Sequence, residues 1–211
     1  MKNIKDLKIS SVVACYKDEQ SIPLMHKRLT DVFQKIGCSY EIIFVNDGSP
    51  DDSEKILENI CQKDHRTTAI FHSRNFDSQN AFTSGMLQSI GDAVILLDGD
   101  LQDPPEVIED FVKKWLDGYD VVYGSRINRD TSKIMNYAYK TFYRIFNKLS
   151  YLEIPLDAGD FSLMDRKVVN EINNAKERDR FIRGLRAWVG FKQIGVPYHR
   201  PDTLFGKSTN N

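Results

Sequence analysis

Short apolar runs alternate with amphipathic segments along this 211-residue chain as far as Arg126. The run at 93–97 contains five apolar residues and no polar one, as expected for a strand that is buried on both faces in the middle of a parallel sheet. The segments between the runs place apolar residues at helical spacing. Strands are predicted at residues 9–15, 40–45, 69–72, 93–97 and 120–123.

Five strand-then-helix units in succession predict an α/β fold with a mainly parallel sheet and helices on both faces. A further helix is predicted at 134–149, where we assign the many aromatic groups mostly to the core, although they could also flank an acceptor groove. Helical patterns recur near 168–172 and 181–189, and a last strand is predicted near 192–198. Without a repeat or a linker, residues 1–211 are predicted to form one domain.

Two aspartates stand at the carboxyl end of the central strand. Asp98 and Asp100 project to the same side of an extended backbone, at the end of the strand where open α/β sheets bind ligands. The two carboxylates would repel each other unless a cation joined them, and Mg2+ or Mn2+ is the natural candidate. Gly99 keeps the approach open, and Gln102 adds an oxygen ligand.

Helix capping is the alternative role for acids in this segment. Asp-Pro-Pro-Glu at 103–106 is a good helix start, so we interpret Asp103 and Glu106 as capping residues, but not the aspartate pair before them. Gly-Lys-Ser at 206–208 is not a phosphate loop, because Pro201 stands where that motif needs glycine. The first strand is not followed by Gly-x-Gly-x-x-Gly, so common dinucleotide binding is unsupported.

Polar residues follow the other predicted strands as well. Asp18 and Glu19 follow the first strand, Asp47 the second, Arg74 the third and Arg126 the fifth. Because parallel strands end at one edge of a sheet, one elongated crevice could hold a base, a ribose, a diphosphate and a metal. This arrangement outlines a nucleotide site.

The net charge of -1 conceals an asymmetry, because residues 92–120 carry nine acids and two bases whereas residues 126–148 carry six bases and one acid. The acidic part suits a metal, and the basic part suits phosphates or an anionic membrane surface.

Three widely spaced cysteines suggest neither disulfides nor zinc, so a cytoplasmic setting is the default. We find no signal-peptide core and no bilayer-length apolar segment in the sequence.

The combination of motifs resembles the family-2 glycosyltransferases, which have the Rossmann-like GT-A fold. Asp-x-Asp alone is a weak signal, but the ordered set, which spans residues 9–208, is specific. More narrowly, the chain is similar to the polyprenyl-phosphate glycosyltransferases, which include dolichol-phosphate mannosyltransferase and the bactoprenol glucosyltransferases. The motifs are Tyr-Lys-Asp-Glu at 16–19, Val-Asn-Asp-Gly-Ser at 45–49, Ser-Arg-Asn-Phe at 73–76, Asp-Gly-Asp-Leu-Gln-Asp-Pro-Pro-Glu at 98–106 and Gly-Asp-Phe-Ser-Leu-Met-Asp-Arg at 159–166.

The resemblance implies roles for individual residues. The implied metal ligands are Asp98, Asp100 and Gln102. The implied catalytic residues are Asp160, Asp157 and Arg126. The implied nucleotide-sugar-binding residues are Ala14, Tyr16, Asp18, Val45, Asp47, Arg74, Asp98, Gly99, Gln102, Arg200 and Lys207.

The chain also departs from the family pattern. Lys17 stands where the family has asparagine, and Asp77 stands where it has glycine. Both basic positions of the family's Arg-x-x-Gly-x-Ser-Lys ending are threonine here, at 203 and 209. Arg200 and Lys207 are the residues that could substitute for them.

The implied activity is metal-dependent transfer of a hexose from a nucleotide diphosphate sugar, with a UDP-sugar favoured, to a polyprenyl phosphate, with inversion at the anomeric carbon. With a hydroxyl acceptor, Asp160 or Asp157 would be the general base, whereas a phosphate acceptor needs them only to orient groups. A structural turn around Ala158 and Gly159 is the alternative. The rival functions are transfer to a saccharide hydroxyl in cell-surface polysaccharide synthesis, nucleotidyl transfer, and nucleotide-sugar binding without catalysis.

Family members continue into amphipathic and transmembrane helices at the point where this chain ends, Asn211. We therefore expect either an excised catalytic domain, which we favour, or a form that relies on a partner for membrane contact. The full-length form is expected at the inner face of the cytoplasmic membrane, in contact with the membrane surface. A nucleic-acid partner is not expected, and the oligomeric state is left open.

Overall fold

A computed structural model describes residues 3–127 and 158–200 of the protein. The helix predicted at 134–149 lies outside these residues. The strands are β1 (Lys8–Cys15), β2 (Ser39–Asn46), β3 (Thr67–Phe71), β4 (Ala93–Asp98), β5 (Val121–Ile127), β6 (Ala158–Asp165) and β7 (Gln193–His199). The α-helices are α1 (Ile22–Ile36), α2 (Ser53–Lys63), α3 (Ser78–Gln88), α4 (Ile108–Leu116), α5 (Arg166–Asn174) and α6 (Ile182–Trp188), and short 3-10 helices occupy Ile4–Asp6 and Pro105–Val107.

The sheet confirms the predicted α/β fold with mainly parallel strands. Its strand order is β3-β2-β1-β4-β6-β5-β7. β1 is parallel to β2 and β4, β2 is parallel to β3, and β5 is parallel to β7. All six strands that the sequence pattern predicted are present, with small shifts at their ends.

β6 is the strand that the sequence pattern did not predict. It runs antiparallel between β4 and β5. Gly159 and Ser162 interrupt its apolar run and so hide its strand character. The turn considered for Ala158 and Gly159 is wrong, because both residues lie in β6. Since β6 is antiparallel, its beginning lies where β4 ends, and continuing the β4–β6 register places Asp160 level with Asp98.

Helices cover both faces of the sheet. On one face, α1 and α4 bury Phe33 and Phe111 in a cluster that includes Val13. On the other face, α3 buries Phe82 in a cluster that includes Val12. Neighbouring residues of β1 thus serve opposite faces, as strand alternation requires. Apolar burial is worth about 25 cal/mol per Å², so these two layers stabilise the sheet and fix the positions of its strand ends.

The acids after β4 do not cap the next helix as expected. Neither the 3-10 helix Pro105–Val107 nor α4 has a side-chain hydrogen bond at its N-terminal cap. Asp103 is instead buried and accepts a hydrogen bond from the hydroxyl of Tyr198. Glu106 forms an ion pair with Arg28 of α1. These two acids therefore join the segment to β7 and α1.

Candidate active site

A cleft of about 720 Å³ opens at the edge of the sheet where the parallel strands end. The exits of β1, β2 and β4 form one side, and the end of β5, the beginning of β6 and the region of α6 form the other. The lining residues are Ala14, Cys15, Tyr16, Asp18, Asp47, Asn75, Asp77, Ser78, Gln79, Asp98, Gly99, Asp100, Arg126, Gly159, Asp160, Phe181, Arg183 and Arg200.

Gly99 allows the aspartates on one side of the cleft to approach each other. A Cβ atom on Gly99 would lie 2.8 Å from a carboxylate oxygen of Asp18 and 3.1 Å from the backbone oxygen of Ala14. The exit of β4 can pack this closely on the exit of β1 only because residue 99 has no side chain. We call this side the acidic wall, which consists of Asp18, Asp47, Asp98 and Asp100.

Carboxyl groups are crowded together in the acidic wall, and this crowding disfavours their ionised form. Burial raises the pKa of Asp98 well above its usual range, and the charges of Asp103, Asp100 and Asp160 raise it further. Burial also raises the pKa of Asp18 to about 7. Within residues 3–127 and 158–200, no cluster of three or more acid, histidine or cysteine side chains forms a ready metal site. Asp98 and Asp100 nevertheless fit Mg2+ or Mn2+, which are often held by one or two carboxylates plus substrate phosphates.

Asp47 is held in place by His72 and Phe76, two residues that follow β3. One of its carboxylate oxygens accepts a hydrogen bond from the backbone N–H of Phe76 at 2.9 Å and is 2.7 Å from Nδ1 of His72. Gly48 has a φ of 64°, and a Cβ atom on it would lie 2.6 Å from Cα of Arg74. These contacts fix the exits of β2 and β3 against each other.

Backbone strain is concentrated in the loops that form the cleft. Among the described residues, three other than glycine have positive φ: Lys17 (61°), Asp77 (81°) and Leu101 (62°). Each follows a parallel strand, and such a conformation costs about 1–3 kcal/mol for a residue with a side chain. Lys17 and Asp77 are also the positions where the family pattern has asparagine and glycine, which accept positive φ more readily.

Arginines form the opposite side of the cleft. Nη2 of Arg200 is 3.8 Å from a carboxylate oxygen of Asp100, so the two sides meet there. Nε of Arg126 donates a long hydrogen bond of 3.4 Å to the hydroxyl of Tyr198, which itself donates to Asp103. Arg126 is therefore positioned through β7 and the segment after β4. We call this side the cationic wall, which consists of Arg126, Arg183 and Arg200.

Asp160 stands between the two walls and is held by donors. Nε2 of Gln79 donates to it at 3.2 Å, and Nε of Arg183 is 3.3 Å from its other carboxylate oxygen. Oε1 of Gln79 also accepts a 2.9 Å hydrogen bond from the backbone N–H of Ile182, so one side chain links α3, β6 and α6. Burial lowers the pKa of the neighbouring Arg186 to about 10, and the charge of Asp160 opposes this shift.

The family model for glycosyl transferase family 2 matches residues 10–172. The chain belongs to this family. This family-2 glycosyltransferase is 42% identical over 205 residues to an uncharacterized glycosyltransferase, YkcC, of Bacillus subtilis, with 97% of the chain and 64% of YkcC covered. It is 36% identical over 206 residues to the prophage bactoprenol glucosyl transferase homolog of Escherichia coli, with 97% and 67% covered. The chain thus spans about two thirds of the length of these relatives.

The GT-A fold of the family-2 glycosyltransferase is also found in a solved structure of glucosyl-3-phosphoglycerate synthase from Mycobacterium tuberculosis in complex with Mn2+, UDP and phosphoglyceric acid. The TM-score is 0.59 at 17% identity, and 79% of this chain and 58% of that chain are covered. At this identity the likeness shows the fold alone.

None of the helices in the described part of the chain is long and apolar enough to cross a membrane.

Most of the site residues that the sequence predicted meet in the cleft of the family-2 glycosyltransferase. Asp157 and Lys207 lie outside the described residues. The predicted residues that line the cleft are Ala14, Tyr16, Asp18, Asp47, Asp98, Gly99, Asp100, Arg126, Asp160 and Arg200.

Three predicted residues do not line the cleft. Val45 is fully buried in the core, beside Ala14 in the neighbouring strand. The guanidinium of Arg74 lies 3.9 Å from the ring centre of Phe76 and does not line the cleft. Gln102 follows the aspartate pair and donates its backbone N–H to Asp100 at 3.0 Å. Nucleotide binding by these three side chains stays a prediction.

Sequence reasoning missed several residues of the site. Asn75, Ser78 and Gln79 line the cleft, and the Ser-Arg-Asn-Phe motif just before α3 was the available signal for them. Phe181 and Arg183 come from a segment that the pattern identified only as helical. Their position depends on contacts between distant elements, which a local pattern does not contain.

Proposed function

We propose that this family-2 glycosyltransferase transfers a hexose from a nucleotide diphosphate sugar, with a UDP-sugar favoured, to a polyprenyl phosphate, with inversion at the anomeric carbon. The observation that carries the proposal is that the acidic wall and the cationic wall face each other across one cleft. A donor diphosphate with a metal ion suits the first wall, and an anionic acceptor suits the second. The names of the bactoprenol glucosyl transferase relatives support the acceptor class.

The acidic wall would bind the donor. Asp98 and Asp100, with the nearby Gln102, would hold Mg2+ or Mn2+ together with diphosphate oxygens. When bound, the ion neutralises negative charge that develops on the leaving diphosphate. The Mn2+ in the solved structure of similar fold supports this assignment. Tyr16 and Asp47 line the adjoining part of the cleft, where the nucleoside would lie.

The transfer step needs no general base when the acceptor is a phosphate. A phosphate monoester has a second pKa of about 6, so it is largely dianionic at neutral pH. One of its oxygens forms a bond to the anomeric carbon while the bond from that carbon to the diphosphate breaks, and the electron pair leaves with the nucleoside diphosphate. Arg126 and Arg183 would hold the acceptor phosphate. Asp160, which is paired with Arg183 and bound by Gln79, would orient these groups.

The acceptor lipid would be reached at the inner face of the cytoplasmic membrane. Transfer to a saccharide hydroxyl would instead require Asp160 to take up a proton in the transition state. Replacing Asp160 with Asn separates the two cases. Near-normal transfer to a polyprenyl phosphate is expected if Asp160 only orients groups, whereas activity that appears only with a hydroxyl acceptor and is lost in this variant would contradict the proposed acceptor.

Calorimetry tests the donor site directly. UDP-glucose, UDP-N-acetylglucosamine and GDP-mannose are titrated with and without Mn2+ into the wild type, Asp100→Ala and Asp110→Ala. Asp110 is an exposed acid of α4 outside the cleft and serves as the matched control. We expect metal-dependent binding of one donor by the wild type and the control, and at least tenfold weaker binding by Asp100→Ala. Failure of all three donors to bind would overturn the proposed function.

A further inference from the structure

Two large aromatic side chains stand exposed at the two ends of α6. Phe181, which precedes the helix, is 50% exposed, and Trp188, its last residue, is 62% exposed. Trp188 lies four positions, about one helical turn, after Gly184, and the Phe181 ring packs against Gly184, so both aromatic groups lie on the same side of the helix. Gly184 lies between them, and a Cβ atom on it would come within 2.6 Å of the Phe181 ring. We call Phe181, Gly184 and Trp188 the aromatic ridge.

The aromatic ridge is not part of the protein core. α6 packs on the sheet through Ile182, Leu185 and Arg186, which are buried and lie on a different side of the helix. Exposed tryptophan and phenylalanine on one edge of a helix are costly in water and are often found at surfaces that bind an apolar partner. The aromatic ridge is therefore a candidate surface for binding an apolar ligand.

The aromatic ridge is continuous with the cationic wall. Phe181 and Arg183 both line the cleft, and the guanidinium carbon of Arg183 is 5.4 Å from the ring centre of Phe181. Phe181 is the one large apolar side chain that is strongly exposed among the described lining residues. An amphiphile with its anionic end at the cationic wall would thus find its nearest apolar surface at Phe181, and then at Trp188.

We propose that the aromatic ridge binds the isoprenoid units next to the phosphate of the acceptor. This inference rests on the proposed function for the identity of the acceptor and adds the path that its tail takes out of the cleft. The phosphate lies against arginines, and the tail runs along α6 over Phe181, Gly184 and Trp188. Gly184 keeps this path open, because a side chain there would push against the Phe181 ring.

Tryptophan fluorescence tests the tail path without turnover. The chain has two tryptophans, and Trp115 is buried with its Nε1–H donated to Asp165, so the exposed Trp188 should account for solvent-dependent changes. Farnesyl phosphate, kept below its micelle concentration, should shift the emission to shorter wavelength in a saturable way, and inorganic phosphate should not. The Trp188→Phe variant should lose the shift. An equal shift in this variant, or no shift in the wild type up to the micelle concentration of farnesyl phosphate, would overturn the proposal.

Acceptor kinetics provide the second measurement. Trp188→Ser and Phe181→Ser should raise the KM for farnesyl phosphate at least fivefold while the calorimetric Kd for the donor changes less than twofold. Ile90→Ser is the matched control, because Ile90 is a 71% exposed apolar residue remote from the cleft lining, and its KM should not change. An unchanged KM in both ridge variants would refute the tail path while leaving the proposed function intact. If the wild type binds no donor, the proposed function fails, and the fluorescence titration alone decides whether the ridge binds an isoprenoid phosphate.

Discussion

The acidic wall and the cationic wall of the cleft are built in different ways. Each residue of the acidic wall stands at the exit of a parallel strand, within a few residues of a fully buried apolar run. The cationic wall gathers Arg126 from the end of β5, Arg183 from α6 and Arg200 from the residue after β7. The first wall is fixed by the sheet itself, whereas the second is fixed by side chains that tie separate elements together.

This difference indicates how each wall can change. The acidic wall is closely packed at Gly99, and Lys17 and Leu101 beside it have unfavourable backbone conformations. The cationic wall depends on polar groups of other elements, namely the hydroxyl of Tyr198 in β7 and the side-chain amide of Gln79 in α3. We therefore expect substitutions in the acidic wall to raise the stability of the protein while lowering its activity. Substitutions of the residues that hold the cationic wall should lower transfer to the acceptor without changing the affinity for the donor.

Asp98→Asn should give the largest effect. The substitution removes a carboxylate that would bind the metal, so transfer should fall about 1000-fold, as expected when a key electrostatic group is lost. The protein should also become more stable at neutral pH by about 1 kcal/mol, or about 2–4 °C in Tm, because burial and the neighbouring acids raise the pKa of Asp98 in the folded state and so penalise a carboxyl group at this position. Activity assays and thermal unfolding measure the two effects. Asp110→Asn is the control, and retained transfer by Asp98→Asn would contradict the role of the acidic wall.

Arg126→Leu should give the next largest effect. It removes a guanidinium that lines the cleft and that, in the proposed function, would face the phosphates, so transfer should fall about 100-fold. Tyr198→Phe keeps the guanidinium but removes the hydroxyl that holds it, so the loss should be about three- to tenfold, mostly in kcat. Steady-state kinetics measure both variants. Equal losses of transfer in the two variants would show that the hydrogen bond between Arg126 and Tyr198, and not the charge of Arg126, determines the rate.

Gln79→Leu should have a smaller effect, which is confined to the acceptor side. The variant loses the hydrogen bonds to Asp160 and to the backbone of Ile182, and transfer should fall about 5–20-fold through misplacement of α6. The Kd of the donor should be unchanged by calorimetry. Gln88→Leu, at an exposed position of the same helix, is the matched control. A loss of donor affinity equal to the loss of transfer would contradict this positioning role.

Lys17→Gly should give the smallest effect, a gain in stability. Relief of the positive φ at residue 17 should raise the free energy of unfolding by about 1 kcal/mol, because the strain exceeds the entropic cost of glycine. Urea unfolding measures the change. Gln20→Gly is the control, since Gln20 is exposed in the same loop without positive φ, and it should lose about 0.5–1 kcal/mol. A loss in Lys17→Gly as well would show that the loop is not strained.

The acidic wall could be predicted from the sequence because its cause is local. An apolar run followed by Asp-Gly-Asp specifies both a buried strand and what stands at its exit. The same reasoning found the positions of Asp18 and Asp47. It also explains the error at Asp103 and Glu106, where a good helix-start pattern was outweighed by Tyr198 and Arg28, two partners distant in sequence.

The rest of the site could not be predicted because its causes are long-range. β6 carries Gly159, Asp160 and Ser162 within eight residues, and it forms a strand only because β4 and β5 offer hydrogen bonds on both sides. Gln79 gains its partners from β6 and α6. Arg74 was predicted in the cleft from its place after β3, yet its side chain stacks on Phe76. Rotamers and inserted strands follow from tertiary contacts that periodicity does not encode.

The insertion of β6 between β4 and β5 has a consequence for how the molecule assembles. The four strands β3, β2, β1 and β4 pair through contacts within the first part of the chain. β6 can pair with β4 only after a long loop has been closed, and the entropy of this closure is lost before the pairing contributes any free energy. Until it does, β4 is an open edge that other chains could pair with. A nascent chain that has emerged only as far as the segment after β4 would therefore already contain the aspartates of the acidic wall but none of the arginines of the cationic wall. The cleft is complete only after the second half of the chain has been synthesised.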